Sequence, residues 1–134
     1  MRMSDEEYFR SCVAKERRLA QLLGYENIEE CYERAGTLLV DTAALPQWTR
    51  DWKACGPLMA KFSIPIQYGK DPAHEHGDAV ISGSINVPLS DHPTKDRAIM
   101  YAVVKAVICL LEHAKAHPTK AATHLTQPGL TAKA

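Results

Sequence analysis

The metal-capable side chains of this sequence concentrate in residues 74–78, which read His-Glu-His-Gly-Asp. His74 and His76 occupy alternate positions, so in an extended segment both imidazoles point to the same side. Asp78 or Asp71 could then add a carboxylate oxygen. A structural zinc site normally has more imidazole or thiolate ligands than this. Two interpretations follow, a metal site at His74, His76 and Asp78 or a solvated polar loop, and we expect the loop.

A second candidate for chemistry is the Trp-rich segment, residues 45–59. Trp48 and Trp52 could stack on a ligand, and Asp51 could work with Asp41 as an acid/base pair in a cleft. An Asp in a first helical turn more often compensates the helix dipole, however, and a Trp more often anchors a core or a protein contact. The sequence thus indicates Trp48, Asp51 and Trp52 as candidate binding residues and predicts no catalytic residue.

Other catalytic patterns are missing from the sequence. It contains no nucleophile elbow, no Gly-rich phosphate loop and no H-E-x-x-H motif. A Cys/His nucleophile is conceivable on paper, but every cysteine except Cys31 falls in an apolar setting, which disfavours the thiolate. We interpret His92, His113 and His117 as surface residues or as residues that compensate a helix dipole. No cofactor is predicted.

The composition describes one ordinary globular domain. The chain has 134 residues, of which 46% are hydrophobic and 24% are charged, and its sixteen basic side chains balance sixteen acidic ones. A dedicated nucleic-acid binder normally has an excess of Lys and Arg to neutralise phosphates. Basic residues do gather on the first helix, but Glu7 and Glu16 are interleaved with them, so salt bridges explain the pattern. Nucleic acid is therefore not an expected partner.

The cysteines and the N-terminal residues indicate the cytoplasm. The four cysteines are far apart and form no C-x-x-C pair, and the first residues, Met-Arg-Met-Ser-Asp-Glu-Glu, contain no apolar stretch typical of a signal peptide. A reducing compartment keeps such cysteines as thiols. We expect a cytoplasmic protein with four free thiols.

Three helices are predicted, over residues 4–23, 49–62 and 94–115. Ser4 followed by Glu7 forms a capping box at the start of the first helix. Thr49 is placed to cap the second helix, which would open at the next residue.

The second helix should bury one face against the core. Trp52, Cys55, Met59 and Phe62 recur at helical spacing, so we expect Trp52 to be largely buried. Pro57 lacks a backbone donor and its ring crowds the preceding turn, which predicts a kink or a broken turn.

Strands are predicted near residues 37–41, 64–68 and 79–87, the last with a bulge at Gly83. Residues 25–44 fit either a short helix followed by a strand or an irregular hairpin, and the hairpin is favoured. The predicted fold is α+β, with a small antiparallel sheet sandwiched between helices in α/β/α layers.

The last helix is apolar nearly all round between residues 98 and 111. Such a helix is either the centre of its own domain or covered by something else as well. Lys105 and the short apolar run argue against a membrane span. We expect a dimer with this helix near the interface. Residues 1–116 should form one domain, and residues 117–134, which lack periodicity, a disordered and dispensable tail.

Three segments resemble proteins encoded by phages. Residues 18–26 and 45–52 resemble the phage ABA-sandwich family, in which a helix ends in a similar small-residue and aromatic turn. Residues 51–59 are similar to the tryptophan, glycine, proline, leucine segment of NinX-like proteins from phage nin regions. In both groups a final alanine-rich helix follows, as residues 101–107 do here. The resemblance, over residues 13–114, implies a small phage or prophage protein with a sheet between helices, and it brings no catalytic residue set.

Two hypotheses for the function follow from the sequence. The first is a phage or prophage accessory protein that is not an enzyme and acts by self-association or by contact with a host or phage protein. The alternative is a small-molecule or metal-binding protein, or an enzyme, with a cleft between the Trp-rich segment and residues 69–78. A pocket lined by Trp48, Asp51, His74 and His76 would favour the alternative.

Overall fold

The computed structural model describes residues 4–71 and 77–116. The helices are α1 (Asp5–Leu22), α2 (Trp52–Lys61) and α3 (Lys95–Ala116), and a 3-10 turn (Leu89–Asp91) precedes α3. The strands are β1 (Glu29–Glu30), β2 (Leu38–Val40), β3 (Ala43–Ala44), β4 (Gln67–Lys70), β5 (Asp78–Ser82) and β6 (Ile85–Pro88). The predictions for His74, His76 and residues 117–134 lie outside the described residues.

The α+β class with antiparallel strands is confirmed. The strands form two small sheets rather than the single sheet expected, one ordered β1-β2-β3 and the other β4-β5-β6. Both are antiparallel throughout. The first sheet lies within residues 25–44, so the favoured hairpin interpretation of that segment was correct and the short helix was wrong.

The predicted strand over residues 79–87 is a hairpin. Ser82 pairs with Ile85, which leaves a two-residue loop between β5 and β6. Gly83 has a φ of +60° at the first loop position, where the turns that join antiparallel strands require a positive φ. The glycine therefore reverses the chain and does not bulge it. The preceding strand is also displaced, since β4 begins at Gln67 and not near residue 64.

Helix α3 is the central element of the fold. Its Val103, Val104 and Val107 are fully buried in a core shared with α1 and α2. Its Ala98 and Ala102 pack against the β4-β5-β6 sheet, where small side chains allow a close approach. The chain itself thus covers the apolar surface up to residue 108, and exposed apolar surface remains only near the end of the helix. Most of the excess that led us to expect a second copy is therefore covered within this chain, but Leu110 is 48% exposed, and the dimer stays a prediction.

Capping differs between the first two helices. The capping box of α1 is confirmed, because Ser4 and Glu7 exchange two hydrogen bonds of 3.0 and 3.1 Å. Helix α2 is capped by Asp51, whose carboxylate accepts the N–H of Lys53 at 3.0 Å, so the prediction of a Thr49 cap was wrong. The helix starts two residues later than predicted.

Pro57 does not end α2, which continues to Lys61. Because Pro57 has no N–H, it leaves the carbonyl of Lys53 without its usual donor from the next turn. The loss is a single hydrogen bond, in the first turn of the helix and on its exposed face. The broken turn that we predicted does not form.

A buried ion pair connects α1 to the start of the Trp-rich segment. Glu16 lies on α1 and is only 1% exposed, and its carboxylate pairs with the guanidinium of Arg50. The same carboxylate accepts the N–H and the hydroxyl of Thr49 at 3.1 and 2.5 Å. The N–H and the hydroxyl of Thr49 are therefore both bonded to Glu16, which explains why Thr49 does not cap α2.

Arg50 extends this network to the first sheet. Its guanidinium donates to the carbonyl of Gly36 at 2.9 Å and lies over the ring of Phe9. Gly36 has a φ of +85°, and a Cβ at this position would collide with Phe9, so only glycine fits. The N–H of Gly36 in turn donates to Glu30 at 2.7 Å. The bidentate Arg10 partner and this N–H lower the pKa of Glu30 to about 2.

We predict that Glu16→Gln lowers the free energy of unfolding by about 3–5 kcal/mol, because it leaves the Arg50 guanidinium without its counter-ion in a buried site. The matched control is Glu112→Gln, which removes the partner of Arg18 in a pair whose side chains are both more than 40% exposed. The control should cost less than about 1 kcal/mol. Urea unfolding of the two variants and the wild type gives the comparison. Equal, small losses would show that the Glu16 pair is not a major support of the fold.

Candidate functional site

A groove of about 520 Å³ runs beside α2. Its wall and floor come from the end of α1, the segment before α2, and α2 itself: Leu23, Pro46, Trp48, Asp51, Lys53, Ala54, Pro57, Leu58, Lys61 and Phe62. Most of these side chains are apolar, and the charged ones are exposed.

Helix α2 supplies two neighbouring rows of groove residues. Ala54, Leu58 and Phe62 recur every four residues, and positions four apart lie on the same face of a helix. Lys53 and Lys61 are eight residues apart on the adjacent row, with Pro57 between them. The groove therefore combines an apolar row with a row that has a lysine at each end.

Trp48 is a groove residue and also part of the core, with 6% of its surface exposed. It directly precedes Thr49 and Arg50, which Glu16 holds in place, so its position depends on the buried ion pair. Asp51 also lines the groove, but its carboxylate is engaged as the N-cap of α2. Two of the three predicted binding residues thus meet in one groove.

The third, Trp52, is 41% exposed and does not line this groove, so the prediction that it is largely buried was wrong. Cys55 and Leu58 define the buried face of α2. At roughly 100° per residue, Trp52 lies about 90° from the middle of that face. The spacing of Trp52 and Cys55 placed them on the same side, but the centre of the face lies between Cys55 and Leu58, on the far side of Cys55 from Trp52.

A second group of polar side chains lies between α1 and the start of α3. The hydroxyl of Tyr8 bonds to Nδ1 of His92 at 2.6 Å, and the hydroxyls of Ser11 and Tyr101 are 2.8 Å apart. The rings of Tyr8, His92 and Tyr101 also contact one another. His92 is only 8% exposed, so its prediction as a surface residue was wrong.

This polar group is closed to ligands at its centre. The sulfur of Cys12 is 3.7 Å from a guanidinium nitrogen of Arg97, but the cysteine is fully buried. Burial raises the pKa of the Tyr8 and Tyr101 hydroxyls above the usual value, so both stay protonated as hydrogen-bonding groups. The group connects α1 to α3, and its cysteine is not accessible as a nucleophile.

Two carboxylates of the predicted metal cluster, Asp71 and Asp78, are among the described residues, and each forms a hydrogen bond with another side chain. Asp78 pairs with Lys70 at 2.9 Å, and this hydrogen bond lowers the pKa of the Asp78 carboxyl. Asp71 is buried and accepts a hydrogen bond from Asn86 at 3.2 Å. Within residues 4–71 and 77–116, no group of three metal-capable side chains comes together. His74 and His76 lie outside these ranges, so the metal site stays a prediction without a test.

Several basic residues of α1 are engaged within the chain. Arg10 pairs with Glu30, Arg18 pairs with Glu112, and Arg17 donates to the carbonyl of Ile28 at 2.9 Å. These contacts join α1 to other elements, whereas we had expected pairs along the helix itself. The prediction of four free cysteines is confirmed. Among the described helices, none has both the length and the apolar character needed to cross a membrane.

Sequence reasoning missed the groove residues contributed by α2. The signal was present, because Lys53, Pro57 and Lys61 are four residues apart and Ala54, Leu58 and Phe62 repeat that spacing one position later. We had interpreted this helix only in terms of its buried face.

Comparisons with protein-family models, with curated proteins and with solved structures yield no match to this chain. The resemblance to phage families therefore stays a prediction, and the groove has to be interpreted from its own residues.

We predict opposite outcomes for alanine at the two tryptophans. Trp48→Ala should lower the free energy of unfolding by about 3–5 kcal/mol, since it empties a buried site of the core. Trp52→Ala should cost about 1 kcal/mol or less, because that side chain is 41% exposed. Guanidinium unfolding followed by circular dichroism avoids dependence on tryptophan fluorescence. A larger loss for Trp52 than for Trp48 would mean that α2 is rotated relative to this structure.

Proposed function

We propose that this protein is a non-enzymatic accessory protein that binds a segment of another protein in the groove beside Trp48. The observation that supports this most is the groove itself, an apolar floor with charged groups at its edge. Among the described residues that line it, only Asp51, Lys53 and Lys61 have charged side chains. Asp51 already caps α2, so the groove offers contact surface and charge rather than an acid/base pair.

A phage or prophage origin is part of the proposal. The segment that resembles phage proteins, residues 45–59, is the segment that supplies Trp48 and most of α2. The partner would then be a host or phage protein.

Self-association through this groove is less favourable than binding a different protein. A two-fold dimer brings the same patch of both copies together. Two copies joined at the groove would place Lys53 and Lys61 of one near those of the other, and like charges at an interface are unfavourable. The charges of the groove therefore do not favour a dimer at this surface, and a different protein is the occupant we propose.

A small molecule is the second candidate, favoured by the volume of the groove. About 520 Å³ lies within the usual range of about 300–1,000 Å³ for ligand pockets. Such pockets usually bring several polar groups together to orient the ligand. Here the free polar groups are two lysines at the edge, an arrangement more typical of a contact surface.

The test is a selection from a displayed random peptide library on three folded proteins: wild type, Ala54→Arg and Ala60→Arg. Ala54 lines the groove, so an arginine there should fill it, while Ala60 is exposed on the same helix outside the groove. Peptides selected on the wild type should keep their affinity for Ala60→Arg and lose at least about tenfold for Ala54→Arg. Matching melting midpoints would show that both variants fold.

Two outcomes would contradict the proposal. Failure to select any peptide on the wild type would show that the groove does not receive protein segments. Equal binding to all three proteins would place the binding surface elsewhere.

A further inference from the structure

We infer that the segment bound in the groove is an amphipathic helix with two acidic residues about two turns apart along one edge of its apolar face. This inference rests on the proposed function and specifies the partner. It follows from three features of the groove: its direction, its charges and the spacing of those charges.

The direction of the groove favours a helix as the occupant. Its longest wall is α2, a ten-residue helix about 15 Å long. The row formed by Ala54, Leu58 and Phe62 is the kind of surface against which a second helix packs its own row of side chains. An extended segment would instead need free backbone groups to pair with, and helix α2 uses nearly all of its own internally.

The charges favour acidic residues on that helix. Lys53 and Lys61 are exposed, and neither forms a salt bridge with any residue in the described part of the chain. The ammonium of Lys61 lies 5.7 Å from the centre of the Phe62 ring, directly beside the apolar floor. The carboxylate of Asp51 faces the N–H groups at the start of α2. A bound carboxylate would therefore meet a lysine at each end of the groove.

The spacing of the two lysines determines where the acidic residues of the partner helix should lie. Eight residues of helix separate Lys53 from Lys61, a rise of about 12 Å. A partner helix running along α2 meets both lysines when its acidic residues are seven or eight positions apart. The positions between them would supply the apolar face.

The charge of the groove also favours this partner over two other occupants, the C-terminal residues of the same chain and a second copy of the protein. Residues 117–134 of the same chain contain Lys120 and Lys133 and no Asp or Glu, so this segment does not complement the lysine pair. A second copy of the groove would bring lysine to lysine. An acidic helix from another protein complements the surface, and such electrostatic complementarity gives specificity and a faster association rate.

The test uses charge reversal and a displayed library of random peptides about 16 residues long, which leaves about one helical turn on either side of the acidic pair. The library is selected on wild type, on Lys53→Glu/Lys61→Glu, and on a control, Lys95→Glu/Lys115→Glu. Both double variants change the net charge equally, and Lys95 and Lys115 are exposed residues that do not line the groove. Circular dichroism at equal temperature confirms that all three are folded.

We expect wild type and the control to select peptides with Asp or Glu seven or eight positions apart, and the groove variant to select Lys or Arg there. Peptides from the wild-type selection should bind the groove variant at least about tenfold more weakly. Peptides that are blocked by Ala54→Arg but have no acidic pair would overturn this inference and leave the proposed function intact. Selection of no peptide that Ala54→Arg blocks would overturn both.

Discussion

A carboxylate that is almost completely buried is the constraint on which the rest of this structure depends. Glu16 has to be paired inside the protein, since an isolated buried charge is strongly unfavourable. Its partners, Thr49 and Arg50, come from the segment directly before α2, and Arg50 continues to the first sheet through Gly36. One buried carboxyl side chain thus fixes the position of a sheet, of the start of a helix, and of Trp48 between them. The groove exists because this segment is held against α1.

The central position of α3 explains how a chain of this size buries so apolar a helix. Valines on one side meet α1 and α2, and alanines on another meet the β4-β5-β6 sheet. The polar group around Tyr8 and His92 closes the end of this arrangement near the start of α3. The chain therefore covers most of its own largest apolar element, and the apolar groove that remains open to a partner lies along α2.

Local patterns in the sequence predicted the local structure, but they do not determine which distant segments of the chain pair with each other. The capping box at Ser4 and the apolar periodicity placed α1 and α3 within one or two residues. The division of the strands into two sheets depends on which segments meet in space, and no local pattern encodes that. Glu16 falls on the apolar stripe of α1, between Cys12 and Leu19, which was a visible sign of burial. We assigned it instead to salt bridges along the helix, because it stands among basic neighbours. Trp52 was misplaced because four residues with helical spacing do not fix the centre of a buried face.

The most direct test of the central claim, that the groove beside Trp48 is the binding surface, is amide hydrogen exchange measured with and without a bound acidic helical peptide. We expect slower exchange over residues 45–62 and little change over β4 and β6. These strands belong to the sheet that packs against a different side of α3 from the one that meets α1 and α2. Protection confined to the sheet strands, with none over residues 45–62, would contradict the account.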